Sequence, residues 1–491
     1  MESTRRAFIR TSLQAGAAAA LLPSALHAEA SNTQGKDRPN ILLLLPDQWR
    51  GDWMSTNHEL DIRTPNLDRL ARLGMRFDRA VVASPLCAPS RACIASGMEY
   101  EHAGTPGNDG DYPLKQQTFY RKLRDSGYEV LACGKMDMAK SANWWGIDGK
   151  WRLNGWGFSD GINNAGKIDQ VIGVELNDGH PADPYMTFLQ ARGLMQEHLK
   201  DYRLRMKGGY AATFPTPLSD AVYCDNWVTG NGLELLNHAP AGKPWFLQVN
   251  WPGPHNPEDI TASMERSVRS RPMPAVNGSN QYSPDVNRTI RQNYTAMCEN
   301  IDRRVGEFLD RLEKSGQLDN TLIVFSSDHG EMLGDHGRWG KTVPFEPSVN
   351  VPMLITGPGI RKNVTSSALV SSIDLTATFL DYGGASTAGI DGLSLRAVLQ
   401  GEKEIHRRVV YSGLGPWRMV FDGTYKVITG FGGGNGGGFI DDSKYSPKVL
   451  ARSPMIFDRQ SDALENNNLA KSIPSAAQTL LDKLKAGNYS A

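Results

Sequence analysis

The apolar runs of this chain are short and end in polar or turn-forming residues. Asn40 to Leu45 opens onto Pro46-Asp47-Gln48, and Glu129 to Ala132, Trp245 to Val249, Leu322 to Ser326 and Met353 to Thr356 repeat the pattern. Such runs read as strands buried on both faces, delivering polar side chains at their carboxyl ends. The intervening segments are long enough for crossover helices, and two of these are explicit. Thr64 predicts a cap, Pro65 the first helical position, Leu67, Leu70 and Leu73 a shared face, and Gly74 a stop. Between Asp285 and Lys314, apolar side chains at Ile290, Tyr294, Met297, Ile301, Val305, Phe308 and Leu312 recur every three or four residues ahead of Gly316, which predicts a core-packing helix. The alternation predicts an α/β fold: a mostly parallel central sheet with helices on both faces and a ligand site beyond the strands' carboxyl ends, where Asp47 and Asp328 both fall. After about Gln400 the alternation weakens, so residues 38–400 are read as the main domain and 401–491 as a smaller C-terminal subdomain. The glycine run from Gly430 to Gly438 reads as a surface loop. A phosphate cradle needs a following Lys-Ser/Thr and a helix, and Phe439-Ile440-Asp441 supplies neither.

Composition narrows the picture. The chain has 491 residues, 40% hydrophobic and 22% charged, with 53 Lys+Arg against 53 Asp+Glu. That balance excludes disorder and a coiled coil, and zero net charge gives no field for nucleic acid. No apolar run reaches the roughly 18 residues of a membrane-spanning helix, so no stable membrane insertion is expected. Thr4-Arg5-Arg6-Ala7-Phe8-Ile9-Arg10, the apolar stretch Leu13 to Leu22 and the small residues up to Ala28 or Ala30 read as a twin-arginine signal over residues 1–30. An amphipathic first helix is the alternative, but the stretch has no polar face. The signal implies an export translocon as partner and a periplasmic or secreted protein. The cysteines Cys87, Cys93, Cys133, Cys224 and Cys298 lack the paired spacings of a zinc cluster. In an oxidising compartment an odd count leaves one thiol over, unless one is chemically consumed, which leaves four cysteines and three pairings.

The densest chemistry lies at Cys87-Ala88-Pro89-Ser90-Arg91. Pro89 suits a first helical turn and Gly97 an end, so Cys87 falls at a helix N-terminus, where backbone N–H groups favour an anion and acidify a thiol. Alone, the pentapeptide fits a buried structural cysteine better. In context, Cys87-x-Pro89-Ser90-Arg91 resembles the signature of the type I, formylglycine-dependent sulfatases of the alkaline phosphatase-like superfamily. Asn40 to Gln48 resembles that family's opening strand, Gly134-Lys135 its lysine motif and Pro254-His255-Asn256-Pro257 its histidine loop. Phe325 to Glu331 and Trp339-Gly340-Lys341 resemble its metal strand and following lysine. Asp391 to Leu395 and Ile456 to Ala470 resemble the endings of its catalytic domain and of a C-terminal α+β subdomain with a short antiparallel sheet.

The resemblance implies oxidation of Cys87 to formylglycine by a maturation enzyme, and one divalent cation held by Asp47, Gln48, residue 87, Asp328 and His329. Oxygen and imidazole ligands without paired thiolates suit calcium, with manganese or magnesium as alternatives. It implies that one hydroxyl of the hydrated aldehyde attacks sulfur, the alcohol departs, and the second hydroxyl then loses its proton to expel sulfate and restore the aldehyde, a route closed to serine or cysteine. Arg91 holds the diol and metal-side charges, Lys135 and Lys341 bind sulfate oxygens, and His255 with Lys341 serves the leaving oxygen. Two positions depart from the family pattern. Asp137 stands where a histidine is usual two residues after the lysine, and so is a candidate diol base or a contact to a sugar hydroxyl. Gln48 and His329 replace the more common aspartate and asparagine, a pair also found in phosphonate monoesterase and choline-sulfatase-like branches.

A sulfated saccharide is the substrate expected from export and resemblance together. Trp144, Trp145, Trp151 and Trp156 are candidates for stacking on sugar rings or for core packing, and Asn256, Arg338, His336, His180 and Arg418 for the pocket. Two other readings stay open: a phosphonate monoester or phosphodiester hydrolase with the same machinery, and a noncatalytic carbohydrate-binding relative in which Cys87 stays a thiol.

Overall fold

The computed structural model describes residues 38–432, 453–487 and 489. Residues 1–30, read as an export signal, and positions 433–438 of the glycine run lie outside the described residues. Eight strands make one sheet: β1 Asn40–Leu44, β2 Met75–Val81, β3 Glu129–Gly134, β4 Asp160–Asn163, β5 Trp245–Asn250, β6 Thr321–Phe325, β7 Met353–Thr356 and β8 Val364–Ser371, in the order β4-β3-β5-β1-β6-β7-β2-β8. The five strands expected from the apolar runs are all present. Three others are not signalled by such runs: β2 interleaves Arg76, Asp78 and Arg79 with its buried residues, β4 spans four residues, and β8 opens on Thr365-Ser366-Ser367. Among the described strands of this sheet β7 runs against its neighbours and the rest are parallel. An antiparallel return needs no crossover. Residues 326–352 therefore stay at the carboxyl end of the sheet, and they carry Asp328, His329 and Lys341.

Side chains alternate between the two faces of the central strands, and each face has its own core. Ile41 and Leu43 of β1 with Leu322 and Val324 of β6 pack on one side, Leu42 and Leu44 with Ile323 and Phe325 on the other. The helices Cys87–Ser96, Phe119–Asp125 and Asp374–Tyr382 cover the first face, and Pro65–Leu73, Cys224–Asn237 and Pro284–Lys314 the second. In the long helix Ser283 caps through its side chain, and Gly316 follows the end in the left-handed region (φ 68°). At Pro65–Leu73 the cap differs from expectation. Thr64 turns its hydroxyl to Ser55, and Asp302 of the long helix accepts from the main-chain N–H groups of Asn66 (3.1 Å) and Leu67 (2.8 Å). A carboxylate from a neighbouring element thus satisfies the free donors, which no local pattern reveals.

A second sheet, β9 Val410–Leu414, β10 Trp417–Phe421, β11 Tyr425–Thr429 and β12 Met455–Asp458, is antiparallel throughout in the order β12-β11-β10-β9. The helix Ser475–Lys485 covers one face through Leu480, Leu481 and Leu484. From the other face Trp417, Met419 and Phe457 enter the core of the large sheet, so the two sheets share apolar contacts.

Gly134 ends β3 with φ 93°, and a Cβ there would lie 1.9 Å from the carbonyl oxygen of Asn250. The close approach fixes where Lys135 leaves the sheet. Gly134→Ala should therefore cost about 3 kcal/mol of stability, measured as a lowered denaturant midpoint with unchanged slope; an unchanged midpoint would show that the β3–β5 approach is not tight.

Candidate active site

Residue 87 begins a helix whose every side chain is buried. Leu86 is extended, Pro89 lies in the first turn, and Gly97 ends the helix at φ 72°. Ser90 Oγ donates to the main-chain oxygen of Asp328 (2.5 Å), which pins this helix start to the end of β6. Cys87 Sγ lies 3.2 Å from His329 Nε2 and 4.0 Å from Asp47 Oδ1. Asp47, Cys87, Asp328 and His329 each offer one ligand atom within 4.8 Å of the others.

Arg91, one turn along the helix, straps the carboxylates together. Its Nε and Nη2 reach Asp328 Oδ2 at 2.9 Å, Nη2 reaches Asp47 Oδ2 at 3.3 Å, and Nη1 donates to Asn250 Oδ1 (3.1 Å) and to the main-chain oxygen of Lys135. Lys135 Nζ pairs with Asp47 Oδ2 and, at 3.1 Å, with Asp137. Burial alone would raise the Asp47 carboxyl, but Lys135, His255, His329 and Arg91 hold it well below the usual carboxylate range. Burial raises the Asp328 carboxyl against the pull of Arg91, and Asp47 adds to the rise. Burial and Asp47 also push the Cys87 thiol up, yet Lys135, Lys341 and His329 outweigh them and bring it down to about 5.

The donor set fits a divalent cation. His329 Nδ1 lies 3.1 Å from the carbonyl oxygen of Gly330, so Nδ1 carries a proton and Nε2 faces Asp47 Oδ1 (3.6 Å) and Asp328 Oδ2 (3.8 Å); against burial, Asp328 and Cys87 raise the ring's pKa, and a cation would take the place of the Nε2 proton. Two adjacent carboxylates with one imidazole make a hard, anionic set.

Gln48 meets this cluster through its main chain, its N–H donating to Asp328 Oδ1 (3.1 Å), while its side chain points to a second group. Its Oε1 accepts from Lys341 Nζ (2.5 Å), and its Nε2 donates to Glu331 Oε2 and to Asn256 Oδ1 (3.4 Å). Lys341 Nζ also donates to His255 Nε2 (2.5 Å), and His255 Nδ1 faces the carbonyl oxygen of Asn256 (2.5 Å). Burial and Lys341 oppose a second positive charge, so the His255 pKa falls well below its ordinary value and the ring is neutral. The main-chain N–H of Asp47 donates to the carbonyls of Trp251 (3.0 Å) and Gly253 (3.1 Å), which ties the histidine loop to the exit of β1.

Asp137 is buried, with Oδ2 between Lys135 and Lys140 (3.2 Å); Oδ1 has no hydrogen-bond partner among the described residues. Burial opposes its charge, but Lys135 and Lys140 hold it ionised far below the usual range. Of the pocket candidates, Asn256 joins the site. His336 stacks on Phe345 with ring centroids 4.4 Å apart, Arg338 also lies over Phe345, Arg418 pairs with Glu101, and His180 is exposed. Trp145 and Trp156 are core residues, Trp151 is half-buried and Trp144 is 36% exposed. All five cysteines are free.

Sequence reasoning missed Asn250, Lys140 and Glu331 as parts of the site. Asn250 was the most accessible of these, since it is the polar end of an apolar strand run, as Asp47 is.

A family model described as Sulfatase matches residues 39–385. An arylsulfatase of Clostridium perfringens is 27% identical over 399 residues, covering 76% of this chain and 81% of that protein. An N-acetylglucosamine-6-O-sulfatase of Bacteroides thetaiotaomicron is 27% identical over 420 residues, covering 78% and 75%. In fold, the chain resembles the crystal structure of a phosphonate monoester hydrolase of Agrobacterium radiobacter with a TM-score of 0.74 at 21% identity, over 91% of this chain and 95% of that one. With the family model spanning most of the chain and the sheet order and buried cluster described above, the protein belongs to the sulfatase family, the hydrolases of sulfuric esters.

Proposed function

We propose that this protein is an exported hydrolase of sulfate monoesters on a sulfated saccharide, with residue 87 as nucleophile after conversion of Cys87 to formylglycine. The observation that carries the reading is the approach of Cys87, Asp47, Asp328 and His329 within 4.8 Å of one another, ringed by Arg91, Lys135 and Lys341. Asp47, Asp328, His329 and residue 87 would hold one divalent cation, calcium first and manganese or magnesium as alternatives, which supplies charge neutralisation for the ester oxygens and acidifies the nucleophile. An aldehyde hydrate at position 87 supplies one hydroxyl for attack and a second whose proton loss expels sulfate. Cys87 is 1% exposed, so the maturation enzyme acts before the fold closes around it.

The remaining steps belong to ordinary side chains. Arg91 holds the two carboxylates together with Nε and Nη2, while Nη1 is tied to Asn250 and the Lys135 carbonyl. Lys135 and Lys341 face the sulfate oxygens from two sides. Lys341 holds the proton for the leaving oxygen while His255 is neutral; an anion between them lowers the penalty for a second positive charge and lets His255 Nε2 receive and pass it. Asp137, ionised and paired with two lysines, is better suited to holding Lys135 than to taking a proton. Gln48 serves the sulfate pocket beside the ion, since its amide is committed to Lys341 and Glu331. The saccharide is supported by the signal-like N-terminus and by the relative named for a sulfated amino sugar.

A second reading, hydrolysis of phosphonate monoesters or phosphodiesters, is favoured by the Gln48 and His329 pair and by the fold likeness to a phosphonate monoester hydrolase. Faster turnover of phosphonate monoesters than of sulfate esters would establish it, and desulfation of defined sulfated mono- and oligosaccharides would establish the first.

Peptide mass spectrometry across residues 80–100 should show a loss of roughly 18 Da at Cys87 in protein made with a competent maturation enzyme, and Cys87→Ala should abolish turnover. An intact thiol in that protein would favour the noncatalytic binding reading instead. Asp137→Asn should raise KM and lower kcat by less than about 100-fold, because it loosens Lys135 without removing a base; a drop of 10³-fold or more in kcat alone, within the range of a lost general base, would restore the base role.

A further inference from the structure

Glu331 is fully buried beside the site and has no part in the chemistry above. Its Oε1 accepts from the main-chain N–H groups of Leu333 (3.0 Å) and Gly340 (2.6 Å), and its Oε2 accepts from Gln48 Nε2. Gly340 directly precedes Lys341. One carboxylate therefore braces the loop that delivers Lys341 and orients the amide that receives it.

An amide has a donor end and an acceptor end, and its donor end must face an acceptor, here a carboxylate. With Glu331 on Nε2, Gln48 must present Oε1 to Lys341 Nζ. The lysine ammonium has three N–H donors; Gln48 and His255 take one each. Gln48 is itself held by its main chain, in the left-handed region at φ 70°, by bonds from its N–H to Asp328 and from Tyr294 Oη to its carbonyl oxygen (2.6 Å). Its backbone cannot swing to compensate, so the face its amide turns to Lys341 is set by what holds Nε2: Glu331, with Asn256 Oδ1 a longer second acceptor at 3.4 Å.

We infer that Glu331 is a positioning residue: it fixes the Gln48 amide so that Lys341 is held with one N–H directed at the anionic oxygen of the substrate. The inference rests on the role of Lys341 in the reading above. It would apply equally to a sulfate or a phosphonate ester, because both present that oxygen.

The test is a double-mutant cycle. In Glu331→Gln the new side chain keeps one oxygen for the N–H groups of Leu333 and Gly340, but its amide nitrogen opposes Gln48 Nε2. Gln48 then either keeps Nε2 against that new donor or turns its donor end toward Lys341, and in both cases like ends repel. The cycle is completed with Gln48→Ala and the pair of changes together, read both in kcat/KM and in the Kd for inorganic sulfate. In the native background Glu331→Gln should lower kcat/KM at least 20-fold and weaken sulfate binding, with metal content and formylglycine occupancy unchanged. In the Gln48→Ala background the same change should cost less than twofold, since nothing remains to orient. Equal losses in both backgrounds would show that Glu331 acts only through the fold, and no loss in the native background would show that it orients nothing; either result overturns the inference. The sulfate-affinity readout needs no turnover, so it decides the role of Glu331 even if the ester class proposed above is wrong. That class fails separately, on a native protein that carries formylglycine and metal yet leaves sulfate esters intact.

Discussion

Two carboxylates a few ångströms apart in a buried site repel each other, and the rest of the structure is arranged to make that tolerable. β1 and β6 are adjacent and parallel with Leu44 opposite Phe325. Each chain then runs three residues further, one to Asp47 and the other to Asp328. Register alone brings the acids together, and Arg91 reaches both from a helix that starts between the strand ends. Without such cations a buried pair of this kind would surrender one charge to protonation. With them Asp47 stays ionised, and at Asp328 Arg91 opposes the rise that burial and Asp47 cause.

The same constraint shapes the basic side chains. Arg91 is spent on the carboxylates, Lys135 is shared between Asp47 and Asp137, and Lys341 leans on two neutral groups, Gln48 and His255. The three cations thus differ in how much charge they retain for a ligand. Lys341 is the one whose charge no carboxylate contacts directly in the pairs described, which suits it to an anionic substrate and to the leaving oxygen. A buried, net cationic rim over an acidic floor matches an ester that must lay anionic oxygens against a metal.

Much of the fold was legible because it depends on local pattern. The five apolar runs became strands with nearly the expected bounds, and the helices beginning at Pro65, Cys87 and Pro284 end where Gly74, Gly97 and Gly316 predict. What escaped notice were elements whose pattern is mixed or whose partner is distant. β2 carries three charged residues because neighbouring strands, not its own composition, make it a strand. The cap of Pro65–Leu73 comes from Asp302, more than two hundred residues away. The reversed β7 could not be told from a parallel strand, since direction leaves no mark on a four-residue apolar run.

For the site, the sequence determined which side chains exist to do chemistry: a cysteine at a helix start, acids after two apolar strands, and lysines and a histidine in loops beyond them. The cysteine and the acids follow from spacing, because a strand end or a first turn exposes a given residue whatever surrounds it; the lysines and the histidine stand out only through the resemblance to sulfatase motifs. Only the tertiary structure decided which atom each one faces. It gave Asp137 to two lysines, turned the Gln48 amide toward Lys341 and Glu331, left His255 neutral against Lys341, and buried Trp145 and Trp156 in the core. Such choices depend on distances and burial among residues far apart in the chain, and electrostatic energies change too steeply with both for any linear pattern to record them.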